Sequence, residues 1–117
     1  MEKGLLYYKE FIDKLVDMSK SCTDANNIKN GSYPKVAVYQ NMNAILEKLS
    51  QEEREVLSDS IQSCYSSAIF DVLSYLEWLS CCHNMQILID DEILPSDAFE
   101  GFSDDFIGRS NDWEWPK

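Results

Sequence analysis

Three groups of residues in this 117-residue chain have types and spacings that could do chemistry. The first is Cys81-Cys82-His83, three metal-ligand side chains in a row. Successive side chains on a helix point about 100° apart, so the three cannot converge on one ion. No second Cys/His cluster completes a tetrahedral site. The same geometry makes His83 a poor base for either thiol. This predicts two ordinary thiols, no metal and no cofactor. The second group is Asp71 with Tyr65 and Tyr75. Asp71 lies between Ala68, Val72 and Tyr75, inside an apolar arc. A carboxylate there must find donors or become neutral. In a pocket with the two tyrosines it would serve a small-ligand sensor or an enzyme. The plainer role is to satisfy free backbone donors at a helix start. The third group is Asp90, Asp91, Glu92, Asp97, Glu100, Asp104 and Asp105, seven acids within residues 90–105, interleaved with Phe99 and Phe102. Charges that steer and aromatics that anchor suit a surface docking on a basic protein. The plainer alternative is a solvated acidic face with its phenylalanines turned inward.

The charge distribution sharpens the third group. Residues 55–108 hold eleven acids and no Lys or Arg, while the rest of the chain holds ten of each sign. The entire formal charge of −11 therefore sits in one block. Phosphate recognition wants a Lys/Arg patch, so nucleic acid is excluded as a direct ligand. An anionic membrane surface is excluded for the same reason, and no apolar run approaches a membrane span. The charges in MEKGLLYYKEFIDKL argue against a signal peptide. The four cysteines, Cys22, Cys64, Cys81 and Cys82, have no disulfide-framework spacing, which suggests reduced thiols and a cytoplasmic protein. An EF-hand loop, a glycine-rich phosphate loop and a Gly-x-Ser-x-Gly elbow are all missing. With one histidine, acid–base catalysis would have to run on carboxylates or tyrosines. These features favour binding over catalysis.

The elements that must position these residues follow from periodicity. At 44% hydrophobic the chain is too apolar for an acidic disordered protein, and its length suits a single domain. Leu5, Tyr8, Phe11, Ile12, Leu15 and Met18 recur at three- and four-residue steps, predicting a helix over 2–20. Residues 21–34 read as a loop, with Asn30-Gly31 as its turn and a short helical turn over 24–29 as an alternative. A second helix is expected from Pro34 to Leu49, burying Val38, Met42, Ile45, Leu46 and Leu49. Ser50-Gln51-Glu52-Glu53 has the form of a capping box, so a new helix starts at Gln51. From there Leu57, Ile61, Cys64, Ala68, Val72, Tyr75 and Leu79 share one face. That run is expected to form the centre of the fold, as two helices hinged at Ser66-Ser67. Residues 86–95 read as a small β-hairpin whose acidic tip lacks the Gly of a favoured two-residue turn. A short helix should cover 104–110. Trp113 and Trp115 either fold back on the core or join an interface.

Tyr33-Pro34-Lys35, Glu53-Arg54-Glu55-Val56-Leu57, Asp71-Val72-Leu73-Ser74-Tyr75-Leu76 and Trp115-Pro116 resemble a family of small bacterial proteins of unknown function. The likeness spans about residues 5–116 and rests on helix-packing motifs. Such proteins carry Gly before the Asp-Val-Leu segment and in the hairpin turn, where this chain has Ser66-Ser67 and Asp90-Asp91-Glu92. The resemblance implies a bacterial source and a compact helical fold with a C-terminal hairpin, and no activity.

The expectation is a mainly α bundle of about four helices with a small C-terminal β-hairpin and a short terminal helix. Its expected function is a non-enzymatic acidic module that binds a basic protein, in its sharpest form an immunity- or antitoxin-like inhibitor of a nucleic-acid-acting protein. Two alternatives stand beside it: a pocket around Asp71, Tyr65 and Tyr75, and self-association as a homodimer.

Overall fold

The apolar stripe of the first nineteen residues winds into α1 (Lys3–Ser19), which buries Tyr8, Ile12 and Val16 at successive four-residue steps. The structure is a computed structural model describing residues 2–117. It is mainly α: α1, α2 (Thr23–Asn30), α3 (Gln40–Leu46), α4 (Gln51–Cys82), strands β1 (Leu88–Ile89) and β2 (Glu92–Ile93), and α5 (Phe102–Ser110). The expected fold class is therefore present. The chain groups into two compact units, residues 1–18 with 67–117, and residues 19–66.

In the first unit, Tyr8, Ile12 and Val16 of α1 pack with Leu73 of α4, Leu94, and Phe102 and Phe106 of α5. Ile69, Phe70 and Leu76 flank Leu73. This corrects the expected core face of α4. Of the run from Leu57 to Leu79, only Ile61 and Leu79 are half-buried; Leu57, Cys64, Ala68, Val72 and Tyr75 are exposed. The helix carries two apolar arcs, and the one with larger aliphatic side chains turns inward. Burying Ile, Leu and Phe gains more than burying Cys, Ala and a Tyr whose hydroxyl would need a partner.

The expected hinge at Ser66-Ser67 is not there, because α4 runs unbroken for 32 residues. Serine inside a helix costs only about half a kcal/mol relative to alanine, and no Gly or Pro lies within Gln51–Cys82 to stop the helix. Its start is the expected capping box: the Glu53 N–H donates to Ser50 Oγ (3.1 Å) and the Ser50 N–H to Glu53 Oε1 (2.8 Å). These donors hold the Glu53 carboxyl below its usual range, the backbone bond from Ser50 first.

β1 and β2 pair antiparallel, Leu88 with Ile93 and Ile89 with Glu92. The turn is a two-residue one, contrary to expectation: Asp90 and Asp91 both adopt left-handed backbone, φ 50° and 64°. That is the conformation of a type I′ turn, which aspartate tolerates better than most residues. The Tyr7 hydroxyl donates to Asp90 Oδ2 (3.1 Å) and so engages one of the crowded tip charges.

In the second unit, α2 (Thr23–Asn30) lies inside the stretch expected to be a loop and is longer than the alternative helical turn over 24–29. Gly31 ends it at φ 94°, where its N–H reaches the Asn27 and Ile28 carbonyls. Ile28, Tyr33 and Leu46 form the small core. The helix expected over 34–49 is shorter. A 3₁₀ turn covers Ala37–Tyr39, α3 begins only at Gln40, and Pro34 stands outside both. Of its expected buried face only Leu46 is buried and Leu49 half-buried; Val38, Met42 and Ile45 are exposed. Asn43 sets this geometry, accepting the Tyr33 N–H (2.7 Å) and donating to the Tyr33 carbonyl (3.2 Å). The extended segment thus needs only part of the following apolar run for its core.

Candidate functional site

The first unit holds most of the charge. Its sequence contains fifteen acids and five bases, against six and five in the second unit. It also contains a cleft of about 850 Å³ between the last turns of α4, residues 84–87 and the segment joining β2 to α5. Glu77, Asp97 and Glu100 line this cleft with Trp78, Met85 and Phe99, and none of the lining residues is Lys or Arg. Arg109 pairs with Asp13 (2.6 Å), and the cleft carboxylates Glu77, Asp97 and Glu100 have no ion pair among the described residues.

The sequence positions these groups locally. Gly101, the cap residue of α5, has φ 111° and no side chain to offer the free N–H groups behind it. Glu77 reaches across from α4 and substitutes for that missing cap. Its Oε1 accepts from the Ser103 N–H and hydroxyl, each at 3.3 Å. A carboxylate at a helix N-terminus is favoured by the free N–H groups and the helix dipole together. A Cβ on Gly101 would collide with that carboxylate. The Asp97–Glu100 segment is fixed from behind, since the Glu100 N–H donates to Asp105 Oδ1 (3.1 Å). Phe99 is half-buried and tied to Trp113 and Trp115, with ring centroids 6.3 and 5.0 Å away.

The seven acids of the third group are divided by the structure. Asp97 and Glu100 line the cleft. Glu100 also borders a smaller concavity of about 260 Å³ with Asp104 and Trp113. Asp90, Asp91 and Glu92 form the hairpin tip and do not line the cleft. Asp105 is not a surface acid: it is 1% exposed, and its carboxylate accepts from the Tyr8 hydroxyl and the Glu100 N–H. Phe102 is likewise core, packed on Tyr8 at 5.7 Å. The alternation of acids with phenylalanines reflects one face in and one face out, with Asp105 as the exception that two donors make tolerable.

Asp71, Tyr65 and Tyr75 all stand exposed on α4, so the apolar arc of Asp71 is an outward one. Cys81 and Cys82 are exposed at the cleft, and a hydrogen bond with Cys81 pushes the Cys82 thiol up, away from the thiolate a nucleophile needs. The His83 ring lies edge-on to Trp78 at 4.4 Å. Among the described residues no group of three His, Cys, Asp or Glu side chains is placed to hold a metal ion. Among the described residues no helix is long and apolar enough to cross a membrane.

Sequence reasoning missed Glu77 and Trp78. The available signal was Trp78 itself, a large aromatic off the apolar stripe of its helix and next to an acid. Trp113 and Trp115 do fold back. The Trp115 N–H donates to Asp13 Oδ2 (3.1 Å), and the Arg109 guanidinium lies 5.4 Å from the Trp115 ring while pairing with the same carboxylate.

The chain matches no curated protein and no solved structure. The model of a family of unknown function, DUF6547, matches residues 1–117, the whole chain, and so the protein belongs to that family.

Proposed function

We propose that the chain is a non-enzymatic acidic binding module whose first-unit cleft receives a cationic segment of a basic protein. The observation that carries this is the cleft lined by Glu77, Asp97 and Glu100 with no Lys or Arg. Carboxylates without a cation in a concave site raise the local concentration of cations and repel acidic competitors. In its sharpest form the module is an immunity- or antitoxin-like inhibitor in a bacterial cytoplasm, occupying a cationic active-site cleft of a nucleic-acid-acting protein. Immobilised protein exposed to extract of its own source at low salt should retain a basic protein that elutes as salt rises. Retention of no basic protein at low salt overturns the proposal.

Self-association is a second reading, favoured by a different observation. Within the first unit, Val72, Tyr75 and Trp78 of α4 are exposed apolar side chains beside Asp71. Such a patch can bury against a second copy of the chain. Concentration-dependent light scattering that doubles the mass, abolished by Val72→Asp, would support it; a monomer at every concentration would exclude it.

A further inference from the structure

Trp78 is 51% exposed and Tyr75, one turn earlier on α4, is 59% exposed. Their rings lie 6.1 Å apart at an interplanar angle of 23°. Two large aromatics stacked in the open are an unusual thing for a helix to carry, since each could be replaced by a polar residue without loss of core. Trp78 also lines the acidic cleft beside Glu77, with Asp97 and Glu100 completing the set of carboxylates. The site therefore joins a half-exposed indole, which has Tyr75 stacked at 6.1 Å and the His83 ring edge-on at 4.4 Å, to carboxylates that have no cation among the described residues.

The two cationic side chains differ in how well they answer that combination. A lysine ammonium is a compact, strongly hydrated point charge. An arginine guanidinium is planar and more weakly hydrated, stacks on aromatic faces, and binds carboxylates through two parallel N–H groups. Only the guanidinium uses the flat ring and the carboxylate together. Resting on the acidic-module reading above, we infer that the cleft selects arginine over lysine. Its ligand is an arginine side chain presented by a polypeptide, held between the Trp78 ring and the cleft carboxylates. The cleft volume of about 850 Å³ is enough for such a side chain with part of its backbone.

The test compares three probes by calorimetry at low salt: a short peptide alternating Gly and Arg, the same peptide with Lys for Arg, and arginine amide. The arginine peptide should bind about fivefold or more tighter than the lysine peptide, the scale of one cation–π contact. Arginine amide should bind far more weakly than the arginine peptide. Trp78→Ala should bring the two peptides to parity, and Trp78→Phe should keep part of the preference. Circular dichroism checks that each variant is folded, and the ratio on the unsubstituted protein decides the matter even where a variant fails. Equal binding of both peptides overturns arginine selectivity and leaves the acidic module standing. Arginine amide binding as tightly as the peptide overturns the polypeptide ligand. Binding of none of the three at low salt overturns the module reading as well.

Discussion

The Tyr8 hydroxyl donates to the Asp105 carboxylate across ninety-seven positions of sequence, and both side chains are buried. This bond joins α1 to the first turns of α5, inside the cluster of Tyr8, Phe102 and Phe106. Removing one partner strands the other away from water. Tyr8→Phe should therefore lower stability by about 1–3 kcal/mol. Asp105→Ala, which also frees the Glu100 N–H, should cost at least as much. Urea midpoints of the two variants and the double variant check this. Strictly additive losses would show that the bond contributes nothing of its own.

Alkali should loosen the fold through its buried phenols. Burial first, then the Asp24 carboxylate 2.9 Å away, pushes Tyr33 up to about 12. Burial and Asp105 raise Tyr8 as well. Unfolded tyrosine ionises near 10. Both phenols therefore contribute stability in full below pH 10, and that contribution is lost as pH rises through their folded-state values. Urea midpoints should hold steady to about pH 10 and then fall. In Tyr33→Phe the fall between pH 10 and 12 should be shallower; an identical slope would count against Tyr33 as a source.

The hairpin turn offers a stabilising change. Asp91 pays the backbone cost of φ 64° with a residue that is only tolerated there. Asp91→Gly places the favoured Asp-Gly pair in a type I′ turn and removes one of three neighbouring charges. A gain of about 0.5–1 kcal/mol is expected, read as a higher thermal midpoint. A lower midpoint would mean that the Asp91 side chain has a structural role.

Glycine at position 4 should resist a substitution that helix propensity favours. Gly4 lies in α1, where alanine normally stabilises by about 1 kcal/mol. A Cβ there would run into the Ile93 carbonyl oxygen of β2. Backbone cannot swing aside as a side-chain tip can, so Gly4→Ala should destabilise by about 1–3 kcal/mol. An unchanged thermal midpoint would show that the hairpin shifts freely.

Charge reversal at the cleft should separate binding from folding. Asp97 and Glu100 are exposed and make no ion pair among the described residues. Asp97→Lys with Glu100→Lys should leave stability within about 0.5 kcal/mol and weaken the Gly-Arg peptide by about tenfold or more. Unchanged peptide affinity would remove these two carboxylates from the site.

What the sequence disclosed follows from how local each signal is. The capping box at Ser50 and Glu53, the stripe of α1 and the hairpin depend on residues within a few positions, and all three are present. The choice between the two arcs of α4 was not local. It was made by Tyr8, Leu94, Phe102 and Phe106, which lie distant in sequence and close to Leu73 in space. The burial of Asp105 was hidden for the same reason, since its donors come from residues 8 and 100. The cleft shows both limits. Its acids were evident from composition, whereas Glu77 and Trp78 joined them only once α4 and the residue 94–101 segment came together.

The first unit is built from residues 1–18 and 67–117, with residues 19–66 forming the second unit in between. During translation, Tyr8 leaves the ribosome long before Asp105 exists. At about 5–20 residues per second, a separation of ninety-seven positions takes roughly 5–20 s. Before that interval ends the second unit has all of its chain, while the tyrosine and its neighbours Ile12 and Val16 still have only part of theirs. The nascent protein therefore carries an apolar helix awaiting its partners, and the later-made segment with Phe102, Asp105 and Phe106 completes their enclosure.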